Sequence, residues 1–290
     1  MSEADASSGT AAYDWAGSNG ARWAAKADRM ERQLEPVNAV LFAAAAPEPG
    51  ARVLDVGCGG GVTTCLAAEL VGASPGGAVT GLDISSELLE LARDRADPDL
   101  PITWQLGDAQ QLDLSAGHYD AVISRFGVMF FAEPATAFAN LRTAARPGGR
   151  LILAVWPRRE RVELMQLLVD VALDASARHG QALVPPEPDE GPFSLGDPDH
   201  TRSLLVGAGW DAVTITDHDL VLYSGGVGPI DEVAPASLDM GAMRAMLDQA
   251  SPAVADAVRA AVTDELARRH DGTGVPLGAT ISIVEARNPG

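Results

Sequence analysis

Apolar residues recur along this chain with two periods, and the two alternate. Short apolar or alternating runs near 51–56, 78–82, 102–106, 119–124 and 150–155 read as strands. Between them, the stretches near 62–72, 85–96 and 134–145 carry helical spacing. Strand, helix and strand repeated this way predict an α/β fold with a mostly parallel sheet and helices on both faces. Prolines mark helix starts. Pro134 after Glu133, Pro198 after Asp197 and Pro252 after Ser251 each suit a first helical position, where no N–H is needed. A sixth strand is expected within 212–223, and the alternation Ile281-Ser282-Ile283-Val284-Glu285 predicts a last one.

Two stretches fall outside that alternation. From Pro157 to about Leu195 the chain makes a helix, with Leu164, Leu167, Leu168, Val171 and Ala172 at i, i+3, i+4, i+7 and i+8, followed by the proline-rich Val184-Pro185-Pro186-Glu187-Pro188. From Ile230 to about His270 two more helices are expected, the second with Val254, Ala257, Val258, Ala261 and Val262 on one face. Both insertions leave the sheet near the carboxyl ends of its strands, where ligands of open α/β sheets sit. They read as a lid over a substrate; the plainer alternative is that they thicken the fold. The chain then divides into an N-terminal helical segment (1–45), a core (46–156), a first insertion (157–197), a continuation of the core (198–229), a second helical insertion (230–275) and a final core strand (276–290).

Composition narrows the function. A chain of 290 residues, 47% hydrophobic, buries a real core. Its net charge of −19 repels phosphate backbones and anionic membranes, so nucleic-acid substrates are disfavoured. The one short basic run, Pro157-Arg158-Arg159-Glu160-Arg161, reads as a solvated helix start. No apolar run is long enough to cross a membrane, and the acidic start Met1-Ser2-Glu3-Ala4-Asp5 does not read as a secretory signal. Cys58 and Cys65, seven apart, suit neither a disulfide framework nor a metal site, which points to a reducing, cytoplasmic location with no metal.

The chemistry starts at Val53-Leu54-Asp55-Val56-Gly57-Cys58-Gly59-Gly60-Gly61, a buried strand ending in an acid and opening through glycines onto a helix. Glycines there can take φ > 0 and let a ligand approach the backbone. A dinucleotide-binding loop, G-x-G-x-x-G, would need its third glycine at position 62, which is Val62. The acid followed by G-x-G-x-G, carried by Asp55, Gly57, Gly59 and Gly61, instead resembles the first motif of the class I S-adenosylmethionine (SAM)-dependent methyltransferases.

Further stretches fall in that family's order, over about residues 50 to 156. Val79-Thr80-Gly81-Leu82-Asp83-Ile84-Ser85 ends a second strand in an acid, and the resemblance gives Asp83 the ribose hydroxyls and Ile84 the adenine face. Gly107-Asp108-Ala109 then supplies a carboxylate and a backbone N–H at the adenine edge, and Arg146-Pro147-Gly148-Gly149-Arg150 is the turn typical of the family before its fifth strand. Each acid also has a plainer reading. Asp83 could cap the helix that follows, Asp108 could belong to an ordinary turn, and Asp55 could accept N–H bonds from the glycine loop. The resemblance implies a Rossmann-like seven-stranded sheet with an antiparallel last strand, an N-terminal segment that closes over the cofactor, SAM as that cofactor, and S-adenosyl-L-homocysteine as product. Trp23, Cys58, Ser124 and Arg125 join the expected cofactor contacts.

The acceptor side is read from apolar bulk. Ser124-Arg125-Phe126-Gly127-Val128-Met129-Phe130-Phe131 follows the fourth strand and holds three of the six phenylalanines. With Tyr13, Trp15, Arg125, Phe126, Met129, Phe130, Trp156 and Met243 as pocket candidates, the acceptor is expected to be small and at least partly aromatic or apolar. Met240 and Met246 join Met243 as a compliant roof. No histidine stands out as a base: His118 lies at the wrong end of the sheet, and His179, His200, His218 and His270 fall in the insertions or at element edges. The run after the fourth strand resembles the small-molecule branch of the family, which includes quinone-biosynthesis and natural-product tailoring enzymes; tailoring of a secondary metabolite is the first expectation and quinone-type C-methylation the second. A SAM-binding protein that transfers no methyl and an NAD-dependent oxidoreductase are the rival classes.

Overall fold

The structure is a computed structural model that describes residues 14–72, 74–187 and 191–290. Its elements run α1 (Ser18–Ala45), β1 (Arg52–Val56), α2 (Val62–Val71), β2 (Ala78–Asp83), α3 (Ser86–Arg95), β3 (Ile102–Leu106), β4 (Tyr119–Arg125), α4 (Pro134–Ala144), β5 (Ala145–Val155), α5 (Glu163–Arg178), α6 (Pro198–Gly207), β6 (Asp211–Val227), α7 (Ile230–Leu238), α8 (Gly241–Gln249), α9 (Pro252–Arg269) and β7 (Gly274–Arg287). The sheet has the order β3-β2-β1-β4-β5-β7-β6. Pairing is parallel from β3 through β5, and β7 is antiparallel to both its neighbours. The strand order reverses between β1 and β4, so the loops after these two strands meet at the switch point where open sheets bind ligands.

Local chemistry sets the helix boundaries. The Ser85 hydroxyl caps α3 by accepting the Leu88 N–H, and Glu87 at the start with Arg93 and Arg95 at the end suits the helix dipole. Asp197 caps α6 by accepting the Asp199 and His200 N–H groups, and Pro198 opens that helix as its position predicts. Pro134 and Pro252 open α4 and α9 in the same way. Along α1, Met30, Leu34, Val37 and Leu41 bury one stripe. The helix runs from the carboxyl end of β4, where Arg125 meets it, to its own C-terminus, where Arg150 of β5 donates to the Ala44 and Ala45 carbonyls. Its N-terminal half lies over the glycine loop and α3, where Asp28 pairs with Arg95.

The structure departs from the sequence pattern in four places. First, β5 opens at Ala145: Tyr119 pairs with Ala145 and Ala121 with Arg150, so Arg146-Pro147-Gly148-Gly149 bulges within the strand rather than preceding it. Second, β6 and β7 are longer than their apolar cores and pair from Asp211 with Arg287 to Val227 with Gly274. β6 is an edge strand with many exposed polar positions, so periodicity undercounts it. Third, three helices rather than two lie between Ile230 and His270, because the chain breaks at Gly241 (φ 41°). These helices pack with α5 beside the stretch of β6 and β7 that outruns β5. Fourth, Arg159 is buried rather than solvated. Among the described residues no helix is long and apolar enough to cross a membrane.

Candidate functional site

The glycine loop that leaves β1 is shaped by three left-handed residues, Gly57 (φ 67°), Gly59 (φ 53°) and Gly61 (φ 83°). They serve different ends. A Cβ on Gly57 would lie 2.6 Å from the Gly127 Cα, and one on Gly61 would lie 2.6 Å from the Trp104 ring, so both are set by packing. A Cβ on Gly59 would meet no protein atom within 4 Å, so the loop's open side is there. The Cys58 thiol is buried, and burial raises its pKa well above the usual thiol range.

Asp55 is fully buried at the end of β1. Its Oδ2 accepts from the Thr63 hydroxyl at 2.6 Å and the Thr64 hydroxyl at 2.7 Å, both in the first turn of α2. The expected bonds from the glycine-loop N–H groups are not the ones it makes. Its Oδ1 is buried without a partner, and burial lifts the carboxyl to about 6 against the opposing hydroxyl bonds.

Asp83, at the end of β2, is mostly buried. Its Oδ2 accepts the Gly59 N–H at 2.8 Å and its Oδ1 the Ser85 N–H at 2.9 Å. The helix cap itself is Ser85. A carboxylate has about four acceptor sites, so two remain for diol hydroxyls. Burial raises its pKa, and the backbone bonds hold it down. Ile84 beside it is an exposed apolar side chain. After β3, the Gly107 N–H reaches the Asp83 carbonyl at 3.0 Å, which draws Gly107, Asp108 and Ala109 toward Asp83. The Asp108 carboxylate accepts from the Gln110 N–H and side-chain amide and so organises its own turn. Asn140 of α4 fastens that loop by donating to the Ala109 and Leu112 carbonyls.

On the far side of the switch point, Ser124 is a brace. Its hydroxyl donates to the Val56 carbonyl at 2.7 Å and accepts the Gly127 N–H at 3.2 Å, clamping β4 to β1. Arg125 is bound to α1: it donates to Asn38 at 2.8 Å and Glu31 at 2.5 Å. Phe126 takes a left-handed backbone (φ 66°), uncommon for a bulky residue, and stacks on Trp156 with centroids 4.4 Å apart and planes 8° from parallel. Met129 is buried, its sulfur accepting the Trp156 N–H and its carbonyl the Ser194 hydroxyl. Trp15 packs edge-on against Trp23 (5.6 Å) and Phe130 (4.9 Å), so the N-terminal segment meets the loop after β4. The indole N–H of Trp15 is buried and unpartnered.

The expected residues thus fall into two groups at the carboxyl edge of the sheet, Asp55 to Ala109 around β1 to β3, and Trp15, Trp23, Phe126, Phe130 and Trp156 around β4 and β5. Met243 is placed apart, in the core among the helices after β6, with Met246. Tyr13 lies outside the described residues. His179 and His270 sit at the C-termini of α5 and α9, their ring nitrogens on the Ala175 and Gly228 carbonyls. Sequence reasoning missed Thr63 and Thr64, Trp104, and Glu31 with Asn38; only the Thr-Thr pair directly after the glycines offered a signal.

This geometry fits SAM. A glycine turn open at Gly59, a carboxylate with acceptor capacity left, an exposed isoleucine beside it and an orphaned buried carboxylate oxygen are what its amino-acid tail, ribose and adenine need. Residues 54–153 match a methyltransferase domain family. Over 108 residues the chain is 39% identical to 2-phytyl-1,4-naphtoquinone methyltransferase of Synechococcus elongatus, covering 36% of this chain and 46% of that one. It spans less than half the length of the curated relatives it matches. Its fold resembles YcgJ of Bacillus subtilis (TM-score 0.55, 14% identity, 87% of this chain and 98% of that one). It also resembles phosphoethanolamine N-methyltransferase 2 of Haemonchus contortus, solved with SAM (TM-score 0.51, 15% identity, 88% and 53%). The match to a methyltransferase domain family is thus confined to residues 54–153, and the fold around it is the one these methyltransferases share.

Proposed function

We propose that the protein methylates a small metabolite with a planar, aromatic or apolar body, as in the tailoring of a secondary metabolite. The observation that carries this reading is the Phe126–Trp156 stack, two buried aromatic rings packed face to face at the carboxyl ends of β4 and β5. Bound SAM supplies a methyl already activated on a sulfonium, open to in-line displacement by an electron-rich atom of the acceptor. The chain's own residues orient and exclude water. The glycine loop takes the amino-acid tail, Asp83 the ribose, Ile84 and the Gly107 to Ala109 turn the adenine, while Trp15, Trp23 and Phe130 cover the site. Alignment in a dry pocket can provide much of the acceleration, so a general base is optional. The helices after β5 and β6 are read as the lid. The net charge of −19 and the free thiols of Cys58 and Cys65 suit a small-molecule enzyme of the cytoplasm.

Quinone-type C-methylation is the second reading, favoured by the naphthoquinone methyltransferase relative. Calorimetric titration with SAM, its demethylated product and NAD, alongside Asp83→Ala, tests the cofactor reading. Micromolar SAM binding that weakens at least tenfold in the variant, about 1.4 kcal/mol, is expected; NAD binding without a response to SAM overturns it. Release of S-adenosyl-L-homocysteine during turnover of naphthol and naphthoquinol probes separates methyl transfer from a non-methylating use of the cofactor.

A further inference from the structure

The turn that follows β5 holds three arginines in four positions, and their surroundings differ. Arg158 and Arg161 are exposed, and each has its own carboxylate, Asp197 and Asp217. Arg159 between them is 8% exposed. Its Nη1 donates to the Pro186 carbonyl at 3.1 Å, and its Nε is buried with no partner. No carboxylate among the described residues pairs with it. The acids therefore go to the two cations that water already screens, where pairs contribute little. The one removed from water has a single neutral carbonyl. An isolated buried charge is costly, and one carbonyl bond does not offset that. Arg125, the other deeply placed arginine near the site, has both Glu31 and Asn38.

The position of Arg159 says what it is for. It lies three residues after Trp156, whose ring stacks on Phe126 and whose N–H binds the Met129 sulfur. Ser194, donating to the Met129 carbonyl, ties the next segment to the same place. The pairs of Arg158 and Arg161 fix the turn on either side. A guanidinium is a planar fork that matches a carboxylate or another oxyanion, and this one keeps an Nε–H without a partner.

We propose that Arg159 recognises an anionic group of the methyl acceptor, a carboxylate or an ionised phenol or enol, so that the substrate class is acidic planar metabolites. This rests on the methyltransferase reading. It also accounts for a site without an evident base: an oxygen already ionised has no proton to surrender.

The test is calorimetric titration of the protein saturated with S-adenosyl-L-homocysteine, using 2-naphthoate, 2-naphthamide and, at pH 7 and 9.5, 2-naphthol. Wild type is expected to bind 2-naphthoate, or the ionised naphthol, at least tenfold more tightly than the amide. Arg159→Gln should reduce that preference to within about twofold, Arg159→Lys should keep part of it, and both should bind S-adenosyl-L-homocysteine as wild type does. The first two probes separate a carboxylate from an ionised hydroxyl as the favoured group. Melting of Arg159→Met without acceptor is the second arm. A cation kept for a ligand predicts a melting temperature at or above that of wild type, and a structural arginine predicts a lower one. Equal affinity for anions and amide, or an unchanged preference in Arg159→Gln, overturns the proposal. Loss of S-adenosyl-L-homocysteine binding by wild type would instead remove the methyltransferase reading and this inference with it.

Discussion

Thr64 donates its hydroxyl to Asp55 at 2.7 Å, and this bond, its Thr63 twin and the charge of Arg125 only partly offset the burial of a carboxylate at the sheet's switch point. The sign of the consequence follows from the shift. Folding raises Asp55 from 3.8 to about 6, so the folded state favours the protonated acid. The associated stability is fully present below about pH 3.8 and is lost as pH rises through about 6, a change on the order of 3 kcal/mol. Asp55→Asn is expected to melt above wild type at pH 8, with an advantage that shrinks toward pH 5. Thermal melts of the cofactor-free proteins at both values check it; an advantage independent of pH would refute the assignment.

The glycines divide by what surrounds them. Gly57→Ala meets both a left-handed backbone and Gly127 at 2.6 Å, backbone against backbone with nothing free to yield. It should lower stability by roughly 2–4 kcal/mol, the strain and the overpacking together. Gly59→Ala meets only the strain, about 1 kcal/mol, yet it puts a methyl on the open side of the loop. It should melt near wild type and bind SAM at least tenfold more weakly. Denaturant melts with calorimetry separate the two effects, and normal SAM affinity in Gly59→Ala would remove the loop from the cofactor site.

The sequence made the parallel core and the cofactor edge legible because both are written locally. Val53 to Gly61 is a strand, an acid and a turn within nine residues, and α2 to α4 begin and end within a residue of their expected positions. What it hid depends on distance. Arg125 looked available to an acceptor because Glu31 and Asn38 lie some ninety residues away on α1. Arg159 looked solvated because three arginines and a glutamate in a row carry no mark of which one turns inward. Met243 looked like a roof because helical spacing does not say which element covers a face, and α8 buries it.

The Arg125–Glu31 pair is the joint between α1 and the loop that carries Phe126 and Phe130. Its side chains are 8% and 15% exposed, so solvent screens it little. Arg125→Met strands Glu31 and should destabilise by about 3–5 kcal/mol. The double variant with Glu31→Gln should recover much of that loss, since no uncompensated charge remains. A double-mutant cycle measures the coupling; simple additivity would show that α1 is held by other contacts.

Trp15 offers the most direct reading of whether the N-terminal segment belongs to the site. It is half buried, sits edge-on to Trp23 and Phe130, and keeps an indole N–H that no acceptor among the described residues takes. An unmet buried donor costs on the order of 1–3 kcal/mol, so a bound ligand that accepts from it gains accordingly. Trp15→Phe keeps an aromatic ring between Trp23 and Phe130 and removes the donor together with part of the indole's bulk. It should melt within a degree or two of wild type while SAM binds three- to tenfold more weakly, about 0.7–1.4 kcal/mol. Trp15→Ala should weaken binding further and loosen the start of α1, visible as faster amide exchange there. If Trp15→Phe binds SAM as wild type does, the indole donor faces no ligand, and the trio of rings serves to anchor α1 rather than to close the site.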